Sequence, residues 1–113
     1  MPEETPILRG FHAHIYFDPR QIEQAQELAR QANALTGCGV GRFHEKPVGP
    51  HPRGSCQLSM TKDQFAVFAP WAVTARGTLT IFAHGLSGSD LADHTHHVVW
   101  FGPSEPLDLS IFG

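Results

Sequence analysis

Histidine stands out in this chain by its number and by its positions. The 113 residues include eight histidines, but only two cysteines. Imidazole is the commonest protein ligand for metal ions, and its unperturbed pKa of about 6.5 suits it to proton transfer near neutral pH. The sequence therefore indicates a metal site or an acid–base site, depending on which of these side chains the fold brings together.

Two of the histidines, His12 and His14, are separated by a single residue within an alternating segment. Residues two apart on a strand project from the same face, and their Cα atoms lie roughly 6 to 7 Å apart. That spacing suits two ligands of one metal ion, or one ligand and a hydrogen-bonding neighbour. The structural alternative is a pair of half-buried histidines that hydrogen-bond across a sheet.

Three further histidines occur where a rigid scaffold meets a loop. His51 is clamped between two prolines, which restrict its backbone and fix its direction. His84 ends an apolar strand, where rigid support meets solvent access. His94 follows Asp93, so an acid is adjacent to a proton acceptor. The remaining histidines, interpreted as exposed, structural or interfacial, are His44, His96 and His97.

Other chemistries have weaker support in the sequence. It contains no nucleophile elbow, no glycine-rich phosphate loop and no CxxC motif. We expect Cys38 and Cys56 to be buried thiols in a reducing compartment. Several histidines on one face favour a divalent ion bound through nitrogen, and Fe, Zn, Cu and Ni all accept such ligands.

Composition limits the class of protein. The chain is 41% hydrophobic and 17% charged, which suits one globular domain over 10–113 after a short lead-in at 1–9. The net charge is −3, and the sequence shows no basic cluster of the kind that binds nucleic acid. No apolar run reaches the ~20 residues that span a bilayer. The acidic, proline-broken N-terminus is unlike a signal peptide, so we expect a cytoplasmic protein.

Apolar periodicity predicts the elements that must position the histidines. We expect strands at 11–17, 40–45, 55–60, 78–84 and 98–101, and helices that begin after Asp18 and at the capping box of Thr61. The order β-α-β-β-α-β, with an extra C-terminal strand, predicts an α+β, ferredoxin-like antiparallel sheet with two helices on one face.

In this topology the first strand lies between the third and the fourth. Its His12, His14 and Tyr16 face away from the helices, together with Gln57 and His84 of the neighbouring strands. His14 and His84 are therefore within reach of one ion. We expect this second face to be open and to be covered by a ligand or by a second subunit, which favours a homodimer.

Four motifs give the chain a family resemblance: His14-Ile-Tyr-Phe17, Gly49-Pro-His-Pro52, Ala83-His84-Gly85 and Asp93-His94-Thr95, followed by Val99-Trp-Phe-Gly102. Together they resemble the DOPA 4,5-dioxygenase family, over nearly the whole chain from about residue 10, and suggest a small bacterial member. The resemblance implies a non-haem Fe(II) enzyme that opens a catechol ring, of DOPA or a related catechol, with O2 at an extradiol position.

Carried over by position, His14, His51, His84 and His94 match the motif histidines of the family. Of these we expect His14, His51 and His84 to be the metal ligands, with Fe(II) as the cofactor and zinc or another divalent ion also able to bind. Asp93 and Glu45 are the carboxylates available to a site with two histidines and one acid. In the three-histidine alternative, His94 transfers the catechol proton beside Asp93.

We expect His12, Tyr16 and Gln57 to bind substrate. Two other functions stay open: a non-catalytic metal- or small-molecule-binding dimer, and a structural dimer in which the histidines satisfy one another.

Overall fold

A five-stranded antiparallel sheet organises the computed structural model, which describes residues 5–112. The strands are β1 Phe11–Phe17, β2 Gly39–His44, β3 Gly54–Met60, β4 Thr80–Gly85 and β5 Val98–Phe101. The helices are α1 Ile22–Thr36, α2 Lys62–Ala75 and the short α3 Asp90–Asp93. The strand order is β2-β3-β1-β4-β5, so β1 lies between β3 and β4. The ferredoxin-like order predicted from the sequence is confirmed.

The ends of the helices follow from local side-chain chemistry. The Gln64 backbone N–H donates to the Thr61 hydroxyl, and the Gln64 side chain accepts from the Thr61 N–H, which forms the predicted capping box of α2. Gly37 ends α1 with a φ of 76°, a conformation that favours glycine. A short 3-10 turn at Pro19–Gln21 precedes α1, so helical hydrogen bonding begins after Asp18, as predicted, and becomes α-helical at Ile22.

The hydrophobic core lies between the helices and one face of the sheet. Ala13, Ile15 and Phe17 of β1 are at most 1% exposed and pack in this core, which confirms the predicted alternation. Their buried partners on the helices are Ala25, Leu28, Ala29, Ala32, Phe68 and Ala72. The apolar stripes of α1 and α2 therefore bury themselves on the face that carries no histidine.

The prediction of an open second face is wrong, because the chain itself covers that face. His14 is 4% exposed and Tyr16 is fully buried. The proline-rich loop, residues 46–53, lies on them through His51 and Arg53, and the C-terminal segment, residues 102–112, packs on that loop. Arg53 donates two hydrogen bonds to Glu105, at 3.0 and 2.8 Å, and thereby joins the two segments.

Two regions differ locally from the predicted elements. The polar loop predicted at 85–93 contains the short helix α3. Ser89 caps the N-terminus of this helix, because its hydroxyl accepts a hydrogen bond from the Ala92 N–H. The C-terminal segment forms an unpredicted 3-10 turn at Leu109–Phe112. Among residues 5–112 no helix combines the length and the apolarity needed to cross a membrane.

Candidate metal and catalytic site

Three histidines from β1 and β4 converge on the covered face of the sheet. The Nε2 atoms of His14 and His84 are 3.2 Å apart. His12 also offers a ring nitrogen, and the three ligand atoms all lie within 4.8 Å of one another. In the β1–β4 register His12 is opposite His84, so His14 approaches His84 diagonally from the same face. The predicted proximity of His14 and His84 is therefore confirmed.

The hydrogen bond of His84 directs its lone pair into this cluster. Its Nδ1 lies 3.1 Å from the carbonyl oxygen of Gly85. A carbonyl only accepts, so Nδ1 carries the hydrogen and Nε2 presents a lone pair toward His14. A backbone contact of this kind fixes the ring of a metal-binding histidine.

His51 lies at the edge of the same cluster, held by Tyr16. The Tyr16 hydroxyl and His51 Nδ1 form a 2.7 Å hydrogen bond, and the His51 ring centroid is 4.1 Å from that of His14. The sequence grouped His51 with His14 and His84, whereas the group whose donors lie mutually closest contains His12 instead. The proline-rich loop thus brings His51 to the site, with one nitrogen already engaged.

Burial keeps these imidazoles neutral. It lowers the pKa of His51 and His84 to about 4, with smaller contributions from neighbouring histidines. The pKa of His14 lies well below its usual value for the same two reasons, and that of His12 is also lowered, chiefly by burial. A neutral imidazole is the form that binds a metal, so protons do not compete for this site at neutral pH.

The donor set fits a divalent metal ion. Nitrogen ligands about 2.0 to 2.1 Å from one ion lie roughly 3 Å apart when the angle between them is near 90°. The separation of 3.2 Å between His14 and His84 agrees with that value. Three neutral imidazoles suit iron, zinc, copper or nickel by ligand type.

His94 lies beside the cluster with one ring nitrogen available. Its Nδ1 is 2.7 Å from the carbonyl oxygen of Asp90, so Nδ1 carries the hydrogen and Nε2 can accept a proton. The centroid of the His94 ring is 4.2 Å from that of the His84 ring, and 4.5 Å from that of the Phe112 ring in the C-terminal segment. This half-buried imidazole can exchange a proton with a molecule held next to His84.

Asp93 is buried and turned away from His94. Its carboxylate accepts from the Ser87 backbone and hydroxyl, at 2.9 and 2.6 Å, and from His97 Nδ1 at 2.7 Å. Burial raises the pKa of Asp93, but these hydrogen bonds outweigh it and lower the pKa overall. The ionised carboxylate therefore stabilises the segment between His84 and His94 by hydrogen bonding to Ser87 within it.

The residues predicted to bind substrate occupy three different environments. Tyr16 is fully buried and contacts His51. His12 and Gln57 are half-buried neighbours, with 3.4 Å between their Nε2 atoms. Gln57 also lines a cavity of about 250 Å³ that reaches His14 and His51. Of the three residues, Gln57 is therefore the one that a molecule in this cavity can contact.

Sequence reasoning missed three contributors to this site: the Arg53–Glu105 ion pair, Phe112 and Arg42. Arg53 is distant in sequence from Glu105, Phe112 is distant from His94, and neither pair belongs to a local motif. Arg42 had a weak signal, since it follows Gly41 within a predicted strand, and a glycine inside a strand often marks a bulge.

Comparison with known proteins shows the family of the chain. A model of the Dopa 4,5-dioxygenase family matches residues 11–111. The chain belongs to the DOPA 4,5-dioxygenase family. A DOPA 4,5-dioxygenase from Amanita muscaria is 33% identical over 91% of this chain and 49% of its own length. An uncharacterized 21.2 kDa protein of Botryotinia fuckeliana is 34% identical over 97% of this chain and 67% of its length.

A solved structure supports the fold of this DOPA 4,5-dioxygenase family member. A protein from Nostoc punctiforme, provisionally assigned as a dioxygenase, superposes with a TM-score of 0.88 at 33% identity. The match covers 93% of this chain and 90% of that one. The chain spans about half the length of the Amanita enzyme, so the resemblance in sequence concerns only part of that protein.

Proposed function

We propose that this protein is a non-haem iron extradiol dioxygenase that opens the ring of DOPA or a related catechol with O2. The observation that carries the proposal is the 3.2 Å approach of His14 Nε2 and His84 Nε2, with His12 beside them. Membership of a dioxygenase family supports the same chemistry.

His14 and His84 would hold the metal ion, with His12 as the third ligand by distance and His51 as the ligand suggested by position. When bound, Fe(II) supplies a Lewis-acidic and redox-active centre at which a catechol and O2 can react. Three protein ligands leave positions open for both molecules, as oxygenase chemistry requires.

His94 is the group that we assign to proton transfer. Its free Nε2 can accept the proton of a catechol hydroxyl, and histidine is the side chain that most often performs such proton transfer in enzymes. Asp93 contributes to catalysis as a positioning residue, because its bonds to Ser87 and His97 hold the loop on which His94 lies.

The burial of the site supports oxygenase chemistry. The proline-rich loop and the C-terminal segment leave His14, His51 and His84 at most 8% exposed. Exclusion of water strengthens electrostatic interactions in the site and limits side reactions of reactive intermediates. Tyr16 serves this arrangement by orienting His51, and Gln57 contacts substrate from the cavity wall.

Anaerobic loading with Fe(II), followed by DOPA or another catechol and then air, tests the proposal. We expect a yellow ring-opened product and consumption of O2. His94→Gln should lower kcat by about 100-fold or more with iron still bound, whereas His96→Gln, an exposed control, should not. Bound iron without turnover of any catechol in a broad panel would instead support a non-catalytic metal-binding module.

The cytoplasmic location and the homodimer remain predictions from the sequence. The two buried, free cysteines are compatible with a reducing compartment. Light scattering at several protein concentrations measures the oligomeric state, and a mass of 12.4 kDa throughout would contradict the dimer.

A further inference from the structure

The cavity next to His14 and His51 extends toward the edge of the sheet. Its far wall is formed by β2, through Gly41, Arg42 and His44. The cavity volume is about 250 Å³. A molecule with a ring at the histidines can therefore place a substituent against β2.

An irregularity in β2 turns Arg42 toward this cavity. Val40 pairs with Leu58 and Phe43 pairs with Cys56, so two residues of β2, Gly41 and Arg42, lie opposite Gln57 alone. In a regular strand Arg42 would share the face of Val40, which is opposite the core residue Leu58. The bulge shifts the alternation and places Arg42 on the histidine face, as bulges near functional sites often do.

Glycine at position 41 permits this arrangement. A Cβ atom at Gly41 would lie 3.1 Å from the Gln57 carbonyl oxygen, tighter than most Cβ contacts. The close approach of β2 and β3 at the bulge thus depends on the missing side chain.

Arg42 is the one permanently charged residue among those that line the cavity. No carboxylate lines it; the other polar lining groups are histidines, Ser55 and Gln57. Within residues 5–112 the guanidinium makes no ion pair, whereas Arg30 and Arg53 are paired with acids. An unpaired guanidinium in a cavity whose lining includes no carboxylate favours an anionic ligand.

We propose that Arg42 is a specificity-determining residue that binds an anionic substituent, such as a carboxylate, on the catechol substrate. The inference rests on the proposed function, since it assumes that the ring is held at the histidines. The guanidinium matches a carboxylate in geometry, and Gln57 and Ser55 can supply neutral hydrogen bonds along the side chain. Catechols with neutral or cationic side chains lack this contact.

Equilibrium binding measured without O2 tests the inference separately from turnover. Two probes share one ring: 3,4-dihydroxyphenylacetate, which is anionic, and its neutral methyl ester. Calorimetric titration of the Fe(II)-loaded protein compares the wild type with Arg42→Gln, Arg42→Lys and the control Arg20→Gln, an exposed arginine on another surface.

We expect the wild type to bind the acid about 10-fold or more tightly than the ester. Arg42→Gln should remove most of this preference without weakening the ester, Arg42→Lys should retain part of it, and Arg20→Gln should retain all of it. The preference should also decrease with added salt in the wild type, because the contact is exposed to solvent. Thermal melting confirms that each variant is folded.

Equal affinity of the wild type for acid and ester would overturn the role of Arg42 and leave the dioxygenase proposal intact. So would an Arg42→Gln variant that loses affinity for both probes alike, because a structural effect does not distinguish them. Failure of the iron-loaded wild type to bind either probe would instead contradict the proposed function itself.

Discussion

The two faces of the sheet differ in the side chains that they bury, and β1 contributes to both. Its Ala13, Ile15 and Phe17 pack against the helices, whereas the intervening His14 and Tyr16 lie under the proline-rich loop and the C-terminal segment. Both faces contain buried side chains, but the helix face is apolar, whereas the histidine face combines imidazoles and hydroxyls with the aromatic rings of Phe82 and Trp100. Burial alone therefore does not define the core of this domain.

The difference shows how the fold separates stability from chemistry. Apolar burial on the helix face is non-directional and contributes roughly in proportion to area. On the histidine face each buried polar group needs a partner, and these are supplied by specific pairs such as Tyr16–His51 and His84–Gly85. The first face should therefore respond to loss of volume, and the second to loss of particular atoms.

Removal of a metal ligand should have the largest effect on the histidine face. We expect His14→Ala and His84→Ala each to weaken metal binding by more than about 100-fold, because loss of even an outer-sphere partner costs 10- to 100-fold. Metal content after dialysis measures this. His96→Ala, on the surface, is the control. Variants that retain a full equivalent of tightly bound metal would contradict the assignment.

Truncation of the helix face should lower stability without changing metal binding. Leu58 is fully buried in the core, and Leu58→Ala should reduce the free energy of unfolding by about 3 kcal/mol. Val67→Ala on α2, where Val67 is 51% exposed, should change it by less than about 0.5 kcal/mol. Urea unfolding measures both, and similar values for the two variants would remove the distinction between core and surface.

Acid should destabilise the metal-free protein through the histidine face. The pKa of His51 and of His84 is about 4 in the folded state, below the value near 6.5 in the unfolded chain. The unfolded chain therefore binds more protons, so this contribution is complete above pH 6.5 and is lost as the pH falls toward 4. We expect a loss of a few kcal/mol in urea unfolding between pH 7.5 and pH 5.

His84→Gln should flatten this pH dependence, whereas Leu58→Ala should lower stability by a similar amount at both pH values. A wild-type free energy of unfolding that is unchanged between pH 7.5 and pH 5 would refute the neutral, buried state of these imidazoles.

Among the changes on the histidine face, removal of a single hydroxyl should have the smallest effect. Tyr16→Phe deletes the partner of His51 Nδ1 but keeps the buried ring, so we expect a loss of about 1 kcal/mol in stability with the metal still bound. Urea unfolding and metal analysis test the two parts of this prediction. Loss of the metal in this variant would instead favour His51 as an essential ligand.

The sequence predicted most of the fold because its signals are local. The alternation in β1, the stripe of α1, the capping box at Thr61 and the terminating Gly37 each depend on residues within a few positions of one another. The same alternation placed His14 and His84 on one face, and the order of the strands brought them together.

The rest depended on contacts between residues distant in sequence. Periodicity gave no indication that Glu105 pairs with Arg53, or that Phe112 packs against His94. The covering of the second face was therefore missed. The choice between His12 and His51 as the third donor depends on side-chain rotamers and on the Tyr16 hydrogen bond, which no local pattern specifies.

Anomalous scattering at the iron absorption edge, recorded from crystals of the Fe(II)-loaded protein, tests the central claim most directly. We predict one strong peak per chain between the imidazoles of His14 and His84, with His12 or His51 completing the set. A peak elsewhere, or no peak while the two Nε2 atoms remain 3.2 Å apart, would contradict a metal site on this face of the sheet.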